Sequence, residues 1–249
     1  MNRFNLAIAF VLFGLLPILQ ANDFALTTNE QAEVRQTLED FQNGKVSLDE
    51  ITVDRDETWG RKVLGYFVTH TNEVTTKMKL PISRIFAGLG GYRQAAILAQ
   101  EYVSVYSNDW HGWRILGSAD LSMTNFSGAL RAYTNAVRLG DDGSVVPLAF
   151  MAMKMGELDV VRANVHRLFA IKGSKETESV KPLDAVTALV LYSLRSNQQD
   201  IFLKALDGVD ASTIASKSDL EFLVKQGCRQ FKGRQIDAIR HELQRTEKP

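Results

Sequence analysis

Apolar residues in this chain recur three and four positions apart, the interval that places them on one face of an α-helix. Val34, Leu38 and Phe41 make one such face, with Thr28 or Asn29 placed to cap the segment and Gly44 to end it. Trp59, Val63, Phe67, His70 and Val74 make a second. No stretch of comparable length alternates apolar and polar residues with period two, so strands are not expected. Glycines fall where helix hairpins would turn, at Gly88, Gly90 and Gly91, then at Gly128, Gly140, Gly143, Gly156 and Gly208. With 45% hydrophobic residues the chain can build a core, and the expected class is all-α.

The helices also repeat. Trp113, Leu116 and Gly117 stand in the spacing W-x2-L-G, followed by Ala129 and Tyr133 as A-x3-aromatic and by Ala136 three residues later. A step of about 34 residues leads back from Ala129 to Ala95 and forward to Ala163. Tyr92, Phe126 and Val160 precede these alanines by three residues, and Val103, Val137 and Ile171 follow them by eight. The aromatic-x-x-alanine signal returns at Phe202 and Ala205, displaced by an extra eight residues, and Ala238 follows at nearly the same period. The polar stretch Gly173 to Asp184, containing Pro182, is the natural place for that insertion.

Residues 110–143 thus resemble a tetratricopeptide repeat. They depart from it twice: Asp120 stands where the first helix usually carries a tyrosine, and Asp141 where a closing proline is common. The resemblance implies a right-handed superhelix of antiparallel helix pairs, about five repeats with degenerate ends, over residues 76–249 with an insertion near 173–184. Neither helix of such a pair can bury its apolar face alone, so neighbours must stack. Small residues (Gly117, Ala95, Ala129, Ala163) are expected where two backbones approach closely. Larger ones (Trp113, Leu116, Tyr133) are expected to fill the spaces between. Residues 22–75 match no repeat, and the Trp59 to Val74 stripe favours a helical cap over a mobile arm.

The amino terminus has the layout of a secretory signal peptide. Asn2 and Arg3 precede an apolar run from Leu6 to Leu19, and Leu19-Gln20-Ala21 offers a cleavage point before Asn22-Asp23. Cleavage gives an exported protein starting after residue 21; retention gives a membrane anchor, although the run is short for a span. Formal net charge is zero, and loss of Arg3 with the leader makes it minus one. That balance gives no basic excess to draw the chain to nucleic acid or anionic lipid. Membrane contact is expected only if the leader stays attached. Cys228 is the single cysteine, which rules out an intrachain disulfide; its apolar-periodic segment points to a small buried side chain.

The sequence carries no recognisable catalytic pattern. His70, His111, His166 and His241 are dispersed, with no H-E-x-x-H and no cysteine partner, so no metal is expected. Gly88-Leu89-Gly90-Gly91 follows a helix and lacks the G-K-[ST] ending of a phosphate loop. No G-x-S-x-G is present. The acidic run Asp49 to Glu57 does not follow a calcium-loop pattern and reads as a solvated loop. Asn125-Phe126-Ser127 is a glycosylation sequon, meaningful only in a eukaryotic source. No cofactor is expected, and no enzyme.

What the resemblance does imply is a groove lined by the first helix of each pair. Its inward positions carry over to Lys77 and Arg84, then to His111, Arg114 and Ser118, then to Leu148, Ala152 and Met155. Cationic groups followed by an apolar patch suit an extended or helical peptide that carries an acidic group beside apolar side chains. The carboxylate clamp that some relatives use for chaperone tails is not reproduced. The expected function is an exported adaptor for a protein or peptide partner. The alternatives are an anchored envelope assembly factor and, least supported, an accessory enzyme.

Overall fold

The computed structural model describes residues 26–52, 57–177 and 181–246. The apolar run at Leu6 to Leu19, and the expected leader with it, lies outside them. Among the described residues there are fourteen α-helices and no strand, and no helix is long and apolar enough to cross a membrane. The helices pack mainly with their neighbours in sequence, as paired consecutive helices consistent with a helical repeat array. The described residues form two compact units, divided between Asp141 and Asp142.

The first unit opens with α1 (Thr28–Gln42), α2 (Leu48–Thr52) and α3 (Glu57–Thr69). Thr27, one residue earlier than expected, caps α1 in a reciprocal box: its hydroxyl accepts the Glu30 N–H, and the Glu30 carboxylate accepts the Thr27 N–H at 2.9 Å. Four helices follow: α4 (Lys79–Gly88), α5 (Tyr92–Val105), α6 (Trp110–Ser122) and α7 (Phe126–Arg138). α4 pairs with α5 and α6 with α7, α5 packs on α6, and α4 also meets α6. The opening helices join this stack, with α1 on α3 and both α2 and α3 on α4. One apolar core runs through all of them, from Val34 and Leu38 through Ile82 and Phe86 to Leu116 and Ala132.

Glycine makes the α6 packing possible, against a side chain rather than a backbone. A methyl group at Gly117 would lie 2.9 Å from the Tyr133 ring, and one at Gly112 would lie 2.6 Å from the Tyr102 ring. The expected close approach of backbones at Gly117 is therefore an aromatic ring seated on a bare Cα. Trp113 is half-buried beside the core and donates its indole N–H to the Ser107 carbonyl at 2.8 Å.

The second unit contains α8 (Val145–Met155), α9 (Leu158–Lys172), α10 (Pro182–Ser196), α11 (Gln199–Leu206), α12 (Ala211–Ala215), α13 (Ser218–Gln230) and α14 (Arg234–Thr246). Pro182 opens α10, where its missing N–H costs nothing. Gly156, at φ +81°, ends α8. α8 pairs with α9, α10 with α11 and α13 with α14. α10 also meets both α8 and α13, and the extra helix α12 packs on α13 and α14. The glycine-and-ring device returns here, with Gly227 seated against the Phe202 ring.

The alanines at the sequence period all lie in second helices of pairs, yet they are not equivalent. Ala95, Ala129, Ala136 and Ala205 are fully buried, whereas Ala163 and Ala238 are exposed. The close packing expected at Ala163 is thus not found. α9 buries Val161, Leu168 and Ile171 instead, which turns its Ala163 face outward.

Candidate functional site

The groove residues assigned from the sequence separate into three groups. Lys77 and Arg84 are engaged within the first unit. Lys77 Nζ donates to the Gln42 carbonyl at the end of α1 at 2.7 Å, and Arg84 meets Asp49 of α2 at 2.7 Å. Lys77, just before α4, and Arg84, in its middle, thus fasten the opening helices to it. Leu148 and Ala152 are 1% and 0% exposed, so they belong to the core and do not line a groove surface. The physical reason is the composition of α8, which has a single charged residue, Lys154, and packs against both α9 and α10. Met155 is exposed at the end of α8.

His111, Arg114 and Ser118 remain, and α6 presents all three. Asp109 begins this helix. Its carboxylate accepts the backbone N–H of His111 at 3.0 Å, the N-cap contact that satisfies an otherwise unpaired helical donor. The same carboxylate faces His111 Nδ1 at 2.8 Å and accepts the Tyr102 hydroxyl at 2.5 Å. An ionised carboxylate can only accept, so Nδ1 is the donor in this contact. Burial alone would raise the Asp109 carboxyl, but the hydrogen bonds from His111 and Tyr102 outweigh it and hold it below the usual range. Burial, reinforced by Asp109, pushes the Tyr102 hydroxyl well up.

Aromatic stacking completes the cluster. The Trp110 ring lies 3.5 Å from the His111 ring, with their planes 21° apart, and the Arg114 guanidinium stands 4.6 Å from the Trp110 centroid. Arg114 also reaches Asp141 at 3.4 Å. Histidine, tryptophan and arginine are thereby held within the first two turns of one helix, with the exposed Ser118 one turn beyond Arg114. Trp110 and Asp109 escaped sequence reasoning, although an aspartate directly before a helix is a recognisable cap signal.

The two departures from the repeat signature lie close by, and each is compensated. Asp120 is buried and accepts the Asn125 side-chain amide at 2.9 Å, while Asn125 itself caps α7 through the Gly128 N–H at 3.2 Å. Asp141, also buried, is the partner of Arg114. Among the described residues no buried side-chain nitrogen or oxygen lacks a hydrogen-bond partner. No cluster of three or more His, Cys, Asp or Glu side chains is arranged to hold a metal ion among the described residues. Cys228 is buried, and burial raises its thiol, which makes the reactive thiolate scarce.

No protein-family model, no curated protein and no solved structure matches this chain.

Proposed function

We propose that the chain is an exported adaptor that holds a protein or peptide partner on the inward face of a tetratricopeptide-like array and performs no reaction of its own. The carrying observation is the packing pattern. First helices of successive pairs meet each other as well as their own partners, α4 with α6 in one unit, and α8 with α10 and α10 with α13 in the other. Helices so related share a surface, which is how repeat proteins generate extended binding faces. Export rests on the Leu6 to Leu19 run and the residues that flank it. An uncleaved leader would give the anchored form of the same adaptor.

The engaged state of Lys77 and Arg84 moves the proposed contact from α4 to α6. There Trp110 and His111 supply a flat, partly apolar surface with a polar edge, of the kind enriched at interfaces, and Ser118 extends it along the helix.

A photo-crosslinking side chain at Ser118, with the exposed Ala163 as the comparison site, tests this in the native envelope. The Ser118 probe should capture a partner that the Ala163 probe does not. The double variant Trp110→Ala, His111→Ala should lose that capture about tenfold while keeping its helical circular dichroism. Equal capture by the folded double variant would refute the reading.

A further inference from the structure

The second unit contains a cleft of about 680 Å³ between α11 and α14, with α12 at its side. The volume lies within the range typical of ligand-binding clefts, roughly 300–1,000 Å³. Gln235, Ala238, Ile239 and Glu242 all line it from α14, at the spacing of one continuous helical face. Asp200 and Leu203 line it from α11 in the same way, Asp207 from the residue that ends α11, and Ile214 from α12. α11 and α14 therefore contribute about two turns each, or roughly 10 Å of length.

The floor and the rim differ in chemistry. Leu203, Leu206, Ile214 and Ile239 make the floor aliphatic. The rim carries three carboxylates, Asp200, Asp207 and Glu242, and one cation, Lys204. That cation is drawn aside, since its ammonium stands 5.1 Å from the Phe169 ring centroid on α9. Among the described residues Asp200 and Glu242 have no ion-pair partner, while the Asp207 carboxylate is felt by Lys172. An aliphatic trough with acid on both walls is complementary to one kind of occupant.

We infer that this cleft docks a short basic amphipathic segment of a partner protein. Its aliphatic side chains enter between α11 and α14, and its lysine or arginine heads meet Asp200 on one wall and Glu242 on the other. The apolar floor supplies the main attraction, and the carboxylates set sign and orientation. Because the rim is solvated, added salt weakens docking. This site shares no residue with the α6 surface and is inferred independently of it.

The probe is a fluorescein-labelled synthetic helix of Leu, Lys and Ala, titrated with the full chain and read by anisotropy. Its counterpart carries Glu in place of Lys. The Lys helix should bind at least about tenfold more tightly than the Glu helix, a difference of about 1.4 kcal/mol. Ala238→Trp fills the cleft from an exposed position, so it should abolish binding without disturbing the fold. The pair Asp200→Asn, Glu242→Gln should weaken binding about tenfold and remove most of its salt dependence. Equal affinity for the two helices, unchanged binding by Ala238→Trp, or no binding by the parent chain would overturn the inference. So would self-association of the parent chain that Ala238→Trp abolishes, since a second copy would then be the occupant. The Trp110→Ala, His111→Ala variant should bind the probe normally, which keeps this test distinct from that of the adaptor surface.

Discussion

Three donors reach the Asp109 carboxylate: the Tyr102 hydroxyl, the His111 ring and the His111 backbone N–H. They favour its charged form, so its folded pKa lies below the value of an unfolded aspartate, about 3.9. The linkage therefore runs in one direction. The stabilisation is complete above that unfolded value and is lost as pH falls through the depressed folded one. Urea unfolding carried from neutral to acid pH should show this loss in the parent chain. In Asp109→Asn the acid limb should be flatter, and stability at neutral pH lower by about 0.5–2 kcal/mol. An unchanged acid limb would mean that the carboxylate gains nothing from its donors. Asp109 escapes the sequence analysis, although an aspartate directly before a helix is a cap signal. Its convergence with Tyr102 has no such signal, because Tyr102 sits on a different helix and reaches Asp109 only once α5 and α6 have packed.

At the level of helices, the regular step that joins Ala129 to Ala163 conceals two environments. Ala129 is fully buried between α6 and α7, so Ala129→Leu should overpack the pair at a cost of about 1–3 kcal/mol. Ala163 faces solvent on α9, and Ala163→Leu should change stability by no more than about 0.5 kcal/mol. Chemical denaturation of both variants separates the cases, and equal costs would contradict the burial described for α9. The three-and-four spacing made the helices legible, and the Trp113 to Tyr133 signature located the α6 and α7 pair. Helix rotation was not legible, since a period fixes where a residue falls along the chain and leaves open which neighbour lies across from it. For the same reason Leu148 and Ala152, spaced like groove residues, belong to the core: the apolar sequence of α8 is buried by α9 and α10 together. The engagement of Lys77 and Arg84 was hidden too, because their partners lie in α1 and α2, outside any repeat.

Across the whole molecule, the helices touch mainly their sequence neighbours, so a perturbation should remain near its origin. Leu38 is fully buried in α1, and Leu38→Ala should cost about 2–5 kcal/mol. Hydrogen exchange followed by mass spectrometry should place the lost protection in α1 to α4 and leave α10 to α14 as slow as before. Uniform acceleration along the chain would show instead that the two units open together. The same neighbour-to-neighbour packing also sets how the chain reaches its fold. Each helix pair closes a connection of only a few residues, so little loop entropy is surrendered before the first contacts repay it. Low contact order of this kind places folding among the faster classes. Any well-formed pair, such as α6 with α7, can serve as the seed on which the next helix condenses.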